Sequence, residues 1–372
     1  MIPELFGLEK EKTCLVGLKL KREPNHLIAE SMAELEQLVV SAGGEVSAQV
    51  VQERIKPSPA CFIGRGKAEE ISSLCESKEI KLVVFDDDLT PGQQRNLEHI
   101  IGTRVIDRTG LILDIFAQRA RTKEGKLQVE LAQSNYLLPR LVGKGAAMSQ
   151  LGGGIGTRGP GETQLEIDRR RIRRRIDKIK RDLQEVRKHR KLHRSKRKSV
   201  PLPVVALIGY TNAGKSSLLN RLTGARVLVE DKLFATLDPT TRRVRLNDGQ
   251  LFLLSDTVGF IRKLPHHLID AFKATLEEVL EADILAHVID ISHPEMEKHI
   301  QVVNELLAEL GMSDKKVIRV LNKTDLVANR MELSCLKASH KEAVPVSVKL
   351  GCGLDDFLEA VERVLSTFIP LP

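Results

Sequence analysis

The 372-residue sequence contains no tryptophan, and phenylalanine and tyrosine together supply only 3% of its residues. Its cores must therefore be built from leucine, isoleucine and valine. No apolar run approaches the roughly 20 residues that a membrane-spanning helix needs, and the charged residues at positions 9–12 are untypical of a signal peptide. We therefore expect a cytoplasmic protein without stable membrane insertion, and leave a peripheral location at membranes open.

Cysteine is also sparse. The five cysteines form no close pair at the spacing of metal ligands, and their number is odd. This pattern is typical of reduced intracellular thiols rather than of a disulfide framework or a zinc site. The residues are Cys14, Cys61, Cys75, Cys335 and Cys352.

Acidic residues are scarce in one stretch of the chain. Residues 169–198 hold 17 Lys or Arg and only three acids, a net charge of +14, whereas the whole chain carries +8. The rest of the chain is therefore mildly acidic, at −6. A basic block of this density predicts a polyanionic partner.

The alternation of apolar and polar residues predicts three domains of α/β class overall. Residues 1–107 alternate strands, including 13–20 and 80–85, with helices such as 29–40, which predicts a small α/β domain with a mostly parallel sheet. Residues 108–198 predict two helices, and 203–372 alternate strands and helices again.

We expect the two central helices to form an antiparallel hairpin, a short coiled coil, with a glycine-rich tip loop at 142–163. Apolar residues of the second helix repeat at coiled-coil spacing, and Thr163 before Glu166 fits a capping box at its start. An exposed charged helix joining two domains is the alternative. The apolar seam consists of Leu165, Ile172, Ile176, Ile179, Leu183 and Val186.

A buried-strand pattern at 204–208 leads directly into a Gly-x-x-x-x-Gly-Lys-Ser motif, and a helical pattern follows. This strand–loop–helix order is the context that a phosphate-binding loop requires. Its backbone N–H groups can surround phosphate oxygens, Lys215 can reach the β- and γ-phosphates, and the Ser216 hydroxyl can bind Mg²⁺. The predicted contacts are Gly209, Tyr210, Thr211, Asn212, Ala213, Gly214, Lys215, Ser216 and Ser217.

Two further elements of a triphosphate site follow in the expected order. A strand pattern at 251–255 precedes Asp256, which would hold Mg²⁺ through water, and Gly259, whose N–H would contact the γ-phosphate. A polar loop at 234–242 should close a threonine over the Mg²⁺, and a purely turn-forming loop is the alternative. We favour Thr236 as that ligand, with Thr240 and Thr241 as alternatives.

The predicted site can be stated as three sets. The catalytic groups are Lys215, Thr236 and Gly259. The metal ligands are Ser216, Thr236 and Asp256. The further nucleotide contacts from these two elements are Phe234, Ala235, Thr236, Leu237, Asp238, Asp256, Thr257, Val258 and Gly259.

The identity of the nucleotide base is predicted by the motif Asn-Lys-Thr-Asp at 322–325, which ends another strand pattern at 317–321. The carboxylate of Asp325 can accept from N1–H and the 2-amino group of guanine, and adenine offers neither donor. A later loop lies where guanine O6 would be contacted. The base contacts are Asn322, Lys323, Thr324, Asp325, Ser347, Val348 and Lys349. Together these elements predict a Ras-like P-loop domain that binds GTP and GDP.

Two residues modify that prediction. Phe260 stands where many GTPases place a glutamine that orients the attacking water, so hydrolysis should be slow until a partner assists it. Asn212 could help a monovalent cation, K⁺, to bind beside the phosphates. A loop-stabilising role for Asn212 is the equal alternative.

Motifs outside the nucleotide site carry a resemblance to a family. They are CFIGRGK at 61–67, LTPGQQRNL at 89–97, VIDRTGLILDIF at 105–116 and GGGIGTRGPGETQL at 152–165, with Asp-Arg-Arg at 168–170. With these segments, nearly the whole chain resembles the HflX family of ribosome-associated GTPases, within the wider Obg–HflX group.

The resemblance implies a GTPase that docks on the large ribosomal subunit and its rRNA. It would dissociate stalled or idle ribosomes under stress, with its hydrolysis stimulated by the ribosome. The resemblance also implies ATP binding outside the GTPase domain, in the N-terminal region, and we expect a monomer. An RNA-binding GTPase of ribosome assembly or RNA modification, or a nucleotide-regulated binder without its own chemistry, is the alternative.

RNA contacts are expected from the glycine-rich tip and the basic helix behind it, because a flexible, charged tip and a row of arginines suit a phosphate backbone. A second phosphate-binding loop is an alternative role for the tip. The predicted RNA-binding residues are Arg158, Arg169, Arg170, Arg173, Arg174 and Arg175.

Overall fold

The computed structural model describes residues 10–141, 164–197, 202–224, 233–263, 279–327, 340 and 342–367. These residues form two compact units. The first holds the described residues up to Gln118 and from Lys126 to Glu185, and the second holds Arg119–Gly125 and those from Val186 onward. The three domain boundaries drawn from the sequence stay predictions. In the part of the chain described, no helix is both long and apolar enough to cross a bilayer.

The first unit is built on a four-stranded sheet in which every neighbouring pair is parallel, in the order β2-β1-β3-β4. The strands are β1 (Lys12–Leu20), β2 (Glu45–Arg54), β3 (Leu82–Phe85) and β4 (Arg104–Asp107). The parallel sheet and two of its strands are thus as predicted from the sequence. Strand β2 was not anticipated by the apolar pattern.

Helices connect these strands, as a parallel sheet requires. The connecting helices are α1 (Asn25–Ala42), α2 (Arg65–Lys78) and α3 (Pro91–Ile101), and α4 (Arg108–Arg119) and α5 (Lys123–Arg140) follow β4. Helix α3 begins with a capping box, in which the Thr90 side chain accepts from the Gln93 backbone and Gln93 reciprocates.

The core between sheet and helices contains three of the cysteines, Cys14, Cys61 and Cys75. They pack with aliphatic side chains and carry free thiols. Burial raises the pKa of the Cys14 thiol to about 12. These cysteines are therefore small core residues.

Two acids at the carboxyl end of this sheet are buried and bonded to protein donors. Asp86, just after β3, accepts from the Ser31 hydroxyl at 2.6 Å and from Arg108 at 2.7 Å. Arg108 is only 1% exposed and also pairs with Glu34. Such a buried pair requires good geometry and further hydrogen bonds to be tolerated.

Asp107, the last residue of β4, is bonded even more fully. Its Oδ2 accepts from the Leu89 N–H at 3.1 Å and from Arg140 at 2.8 Å. Its Oδ1 accepts from the Gly110 N–H at 2.9 Å and the Tyr136 hydroxyl at 2.8 Å. This carboxylate therefore connects β4 to the loop before α3 and to α4 and α5.

Helix α6 (Gln164–Arg197) is the long basic helix predicted from the sequence. Ile176, Ile179 and Leu183 of the predicted seam are buried. Arg175 Nε donates to Glu130 of α5 at 2.6 Å. The helical character of this middle region is thus confirmed, while the predicted cap at Thr163 and the tip loop at 142–163 lie outside the described residues.

The second unit contains a six-stranded sheet in the order β10-β9-β8-β5-β7-β6, in which only the β6–β7 pair is antiparallel. Its strands are β5 (Val204–Ile208), β6 (Thr240–Arg245), β7 (Leu251–Asp256), β8 (Ile284–Asp290), β9 (Lys316–Asn322) and β10 (Val344–Pro345). The described helices are α7 (Lys215–Thr223), α8 (Met296–Glu309) and α9 (Leu354–Leu365), with a 3₁₀ turn at Thr324–Leu326. The carboxyl ends of β5, β7 and β9 carry the predicted site, as open α/β sheets place their ligands.

Candidate functional site

The phosphate loop connects β5 to α7 and depends on two glycines. Gly209 has φ +146°, and a Cβ there would lie 2.2 Å from the Val288 carbonyl oxygen. Gly214 has φ +97°, and a Cβ there would lie 2.2 Å from the Asn322 side-chain nitrogen. No other residue fits either place without displacing the neighbouring strand or loop.

Three non-glycine residues of the surrounding loops also adopt left-handed backbone conformations. They are Asn212, Phe234 and Lys323, with φ of 61°, 56° and 65°. Bulky residues rarely occupy this region, and such strain is found more often at functional sites. All three line a nucleotide pocket.

Lys215, the first residue of α7, is buried beneath the loop. Its Nζ donates to the carbonyl oxygens of Gly209 at 3.1 Å and Tyr210 at 2.7 Å. Burial lowers the pKa of Lys215 to about 8, and the nearby charge of Asp256 partly opposes that shift. The phosphate loop thus holds the Lys215 ammonium in place. In that position the ammonium would help the loop to bind phosphate.

The three predicted metal ligands converge. Ser216 Oγ lies 2.8 Å from Thr236 Oγ1 and donates to Asp256 Oδ2 at 2.5 Å. Of the three candidate threonines, Thr236 is the one in contact with Ser216, whereas Thr240 and Thr241 belong to β6.

The Asp256 carboxylate in this cluster is buried, and its Oδ1 has no hydrogen-bond partner within the described ranges. Burial raises the pKa of Asp256, while the Ser216 hydrogen bond and the Lys215 charge lower it. The cluster therefore combines three hard oxygen donors, one of them with unused acceptor capacity.

These groups surround a phosphate cavity of about 50 Å³. Every residue that lines it belongs to the predicted phosphate loop or to the two predicted loops that follow. The lining consists of Thr211, Asn212, Gly214, Lys215, Ser216, Ser217, Phe234, Ala235, Thr236, Thr257 and Gly259.

A larger pocket of about 580 Å³ adjoins the phosphate cavity and shares Asn212, Gly214 and Ser217 with it. The predicted base residues that line it are Asn322, Lys323, Asp325, Val348 and Lys349. Its remaining lining residues, Asn220, Arg221 and Leu326, were missed by the sequence reasoning. Two of them could have been found, because Asn220 and Arg221 follow Ser217 at helical spacings of three and four.

Hydrogen bonds tie the base loops to the phosphate loop. Asn322 Nδ2 donates to the Ala213 carbonyl at 2.8 Å, and Asn322 Oδ1 accepts from the Val348 N–H at 3.3 Å. The Ser347 hydroxyl donates to Asp325 Oδ1 at 2.6 Å. Asn322 and Ser347 thus position the loops, and Asp325 faces the pocket that a base would enter.

The segment after Gly259 is joined to the phosphate loop by backbone bonds. The Phe260 N–H donates to Gly209 O at 3.1 Å, and the Thr211 N–H donates to Phe260 O at 2.8 Å. The Phe260 side chain is 2% exposed and packs in a core cluster with Ile208 and Leu285. It therefore points into the hydrophobic core and offers no polar group to a nucleotide.

Tyr210 contacts this segment and is not among the residues that line the two pockets described above. Its hydroxyl accepts from the Arg262 N–H at 2.9 Å, and its ring stacks on His299 of α8 with centroids 3.7 Å apart. The role of Tyr210 in the described structure is thus to hold the segment after Gly259.

Asp238, another predicted nucleotide contact, faces a different neighbour. Its carboxylate accepts from the N–H groups of Arg121 and Thr122, at 2.7 and 2.8 Å, and from the Thr122 hydroxyl. Gly125 is close as well, since a Cβ there would lie 2.3 Å from Asp238 Oδ1. Nothing in the sequence pattern pairs residues more than 110 positions apart in this way.

Of the predicted RNA contacts, Arg170, Arg173, Arg174 and Arg175 are exposed on α6 and Arg169 is half-buried, while Arg158 lies outside the described residues. Within the described part, no group of three or more His, Cys, Asp or Glu side chains forms a metal cluster. The candidate site is the pair of pockets in the second unit that the predicted nucleotide residues line.

Three family models match the chain consecutively. A GTP-binding GTPase N-terminal model matches residues 29–117, a GTP-binding GTPase middle-region model matches 119–197, and a 50S ribosome-binding GTPase model matches 204–323. Together they span most of the sequence.

Curated relatives match over almost the whole length. The GTPase HflX of Caldanaerobacter subterraneus subsp. tengcongensis is 52% identical over 97% of this chain and 82% of its own. That of Escherichia coli K12 is 47% identical over 91% and 79%. Among solved structures, the SsGBP–GDP complex matches with a TM-score of 0.51 and 26% identity, over 96% of this chain and 99% of that one.

Proposed function

The chain belongs to the HflX family of GTPases, and from this membership we propose that it binds the large ribosomal subunit and dissociates stalled or idle ribosomes. Members of the family bind and hydrolyse GTP, and the P-loop domain carries these activities. The proposal concerns what that hydrolysis drives. It also assigns the protein a role under stress, when ribosomes stall.

One observation carries the ribosomal part of the proposal, namely the surface of α6. Arg173 and Arg174 are exposed on this helix, and neither has an ion-pair partner in the described chain. On its other face Ile176 and Ile179 are buried. A helix that is anchored along one stripe and exposes Arg173 and Arg174 suits an RNA phosphate backbone. The 50S ribosome-binding description of the matching model supports the same partner.

Mg²⁺ is the proposed metal of the nucleotide site. Ser216, Thr236 and Asp256 supply oxygen donors, which Mg²⁺ prefers, and few protein ligands suffice because phosphates and water complete its shell. The unused Oδ1 of buried Asp256 fits a group that arrives with the nucleotide. When bound, the ion would neutralise charge on the β- and γ-phosphates.

Hydrolysis is proposed to be slow without the ribosome. Phe260 is packed into the core and cannot orient water, so a partner has to supply or rearrange a polar group. K⁺ beside Asn212 is a second proposed aid, since Asn212 lines both pockets. Equal hydrolysis rates in potassium and sodium buffers would rule out that use of K⁺.

Sedimentation with ribosomal subunits tests the proposal. The protein should pellet through sucrose with the large subunit in the presence of a non-hydrolysable GTP analogue, and less with GDP. Replacing Arg173 and Arg174 with Ala should weaken this binding and flatten its salt dependence, because each lost phosphate contact removes a released counterion.

A matched control removes the same charge elsewhere. Lys21 and Arg22 form an adjacent exposed basic pair in the first unit, and the Lys21→Ala/Arg22→Ala variant should bind as the wild type does. Failure of the unmodified protein to pellet with the large subunit in either nucleotide state would refute the proposal. Dissociation itself is then measured as the loss of 70S particles on addition of protein and GTP.

A further inference from the structure

The hydroxyl of Thr211 is a polar group that the structure leaves unexplained. Thr211 is 7% exposed, and its Oγ1 is buried without a hydrogen-bond partner among the described residues. Its backbone, by contrast, is firmly held by the N–H bond to Phe260 O. A buried, unbonded hydroxyl is destabilising, so such a group calls for a reason.

Three of the other hydroxyls that line the phosphate cavity show what a bonded group looks like there. Thr257 Oγ1 donates to the Leu207 carbonyl at 2.6 Å. Ser216 and Thr236 bond to one another, and Ser216 also bonds to Asp256. These three hydroxyls have protein partners. Thr211 differs from them although it lines the same cavity.

The surroundings of Thr211 indicate which part of the nucleotide it meets. A Cβ placed on Gly259 would lie 2.8 Å from Thr211 Cα, 2.9 Å from its Cγ2 and 3.0 Å from Lys215 Nζ. Thr211 therefore packs against Gly259, and Lys215 Nζ lies close to the same glycine; Lys215 and Gly259 are the groups that are expected to contact the γ-phosphate. The neighbouring Phe260 side chain, which could have carried a polar group to this place, is in the core.

We propose that the Thr211 hydroxyl is a catalytic group that donates a hydrogen bond to the γ-phosphoryl oxygens of GTP during hydrolysis. In that step the oxygen of water bonds to the γ-phosphorus while the bond from phosphorus to the β–γ bridging oxygen breaks. GDP leaves with the electron pair, and the protons of the water pass to inorganic phosphate and solvent. Thr211 keeps its own proton and stabilises the charge on the transferring group.

Two substitutions separate the hydroxyl from the shape of the side chain. Thr211→Val removes the hydroxyl at nearly constant volume, and Thr211→Ser keeps it. Single-turnover hydrolysis of GTP by the full chain should fall about 10- to 100-fold in the valine variant and stay within about threefold of wild type in the serine variant. GDP affinity should change less than about twofold in both, because GDP lacks the γ-phosphate.

Thermal melting without nucleotide distinguishes this role from a structural one. Since the hydroxyl is unbonded in the protein, Thr211→Val should leave the melting temperature unchanged or raise it. Thr13→Val is the control, because the buried Thr13 hydroxyl donates to the Glu11 carbonyl at 3.0 Å. That variant should melt lower and hydrolyse GTP at the wild-type rate.

Three results would overturn the proposal. One is a valine variant that hydrolyses GTP within twofold of wild type. Another is a serine variant as slow as the valine variant, which would make the methyl group the important feature. The third is a loss of GDP affinity that parallels the loss of rate, which would place Thr211 in general loop geometry.

Discussion

Both sheets end their strands in buried carboxylates, and the two units use them differently. In the first unit Asp86 and Asp107 are surrounded by protein donors, and Asp107 alone accepts four hydrogen bonds. In the second unit Asp256 bonds to Ser216 and leaves Oδ1 without a partner among the described residues. The same residue type at the same kind of strand end therefore has a structural role in one unit and is a proposed metal ligand in the other.

The difference teaches that an acid at the carboxyl end of a parallel strand is not by itself a site. Saturation with hydrogen bonds marks a structural role, because every acceptor lone pair is already used. Unused capacity in a buried group marks a place where a ligand arrives. In the second unit, Asp256 Oδ1 and Thr211 Oγ1 both have that property. Thr211 lines the phosphate cavity, and Asp256 is bonded to Ser216, which lines it as well.

The largest effect is expected from removing the Asp107 carboxylate. Asp107→Ala should lower the free energy of unfolding by about 3–5 kcal/mol, because it leaves the Arg140 charge and the Tyr136 hydroxyl without their partner. Urea titration followed by circular dichroism measures the change. GDP affinity of the folded protein should stay within about twofold of wild type. Asp114→Ala, on α4, is the control and should be nearly neutral, since burial raises the pKa of that carboxyl.

The opposite pattern is expected at Asp256. Asp256→Asn should slow Mg²⁺-dependent hydrolysis about 10²- to 10³-fold, because a neutral amide cannot hold the ion's water shell as a carboxylate does. Stability without nucleotide should not fall, since the replaced carboxylate is desolvated and incompletely bonded. A variant that melts well below wild type yet hydrolyses GTP normally would show that Asp256, like Asp107, has a structural role.

A somewhat smaller effect is expected in the base pocket. Asp325→Ala should weaken GTP binding by about 2–3 kcal/mol, because two hydrogen bonds to a charged acceptor are lost, and should not create ATP binding. Fluorescence titration with a labelled nucleotide measures both. Ser347→Ala, which removes only the hydroxyl bonded to Asp325, should have the milder effect. Equal losses in the two variants would mean that loop position, not base recognition, sets the affinity.

The smallest effect is expected from His299 in the second unit, and it concerns the pH dependence of stability. Burial lowers the pKa of His299 to about 4, assisted by the charges of His293 and Arg262. The unfolded chain therefore takes up a proton between pH 6.5 and 4 that the folded chain does not. Stability should be full above pH 6.5 and decline as the pH falls through that window, by on the order of 1 kcal/mol.

Replacing His299 with Gln tests this pH dependence. Thermal melting between pH 7 and 5 should show a shallower slope in the variant, and His26→Gln, at an exposed position of α1, should keep the wild-type slope. Some slope remains in either case, because burial also lowers the pKa of His287 to about 3. An unchanged slope in the His299→Gln variant would show that protonation of the wild-type His299 ring does not disturb its stacking on Tyr210.

The phosphate loop was predictable because its shape is encoded locally. A glycine at each end, a lysine and a serine determine how eight consecutive residues turn, and no distant residue has to be known. The position of Asp325 in the larger pocket was predictable for a related reason, since its strand and its loop are adjacent in sequence. Family membership, anticipated from several such local motifs, is confirmed by the relatives.

Other features depended on distant parts of the chain and were not predictable. Strand β2 alternates weakly, with Gln49 and Gln52 among its valines, and lies at one end of the sheet order, where pairing on one side suffices. Which of three threonines approaches Ser216 depends on where β6 begins. The unbonded Thr211 hydroxyl is invisible in a sequence, because only three-dimensional packing shows that a partner is missing.

The contact of Asp238 with Thr122 bears on how the GTPase domain can be divided from the rest of the chain. A fragment that begins at the end of α6 would contain every predicted nucleotide ligand, yet it would lack Arg119–Gly125. Asp238, two residues from the Thr236 hydroxyl, would then lose all three of its donors. The loop that carries Thr236 would have a different anchorage in such a fragment. Kinetic constants measured on such a fragment would thus describe an altered molecule. A unit that keeps these contacts must combine Arg119–Gly125 with the GTPase domain, and it is therefore discontinuous in sequence.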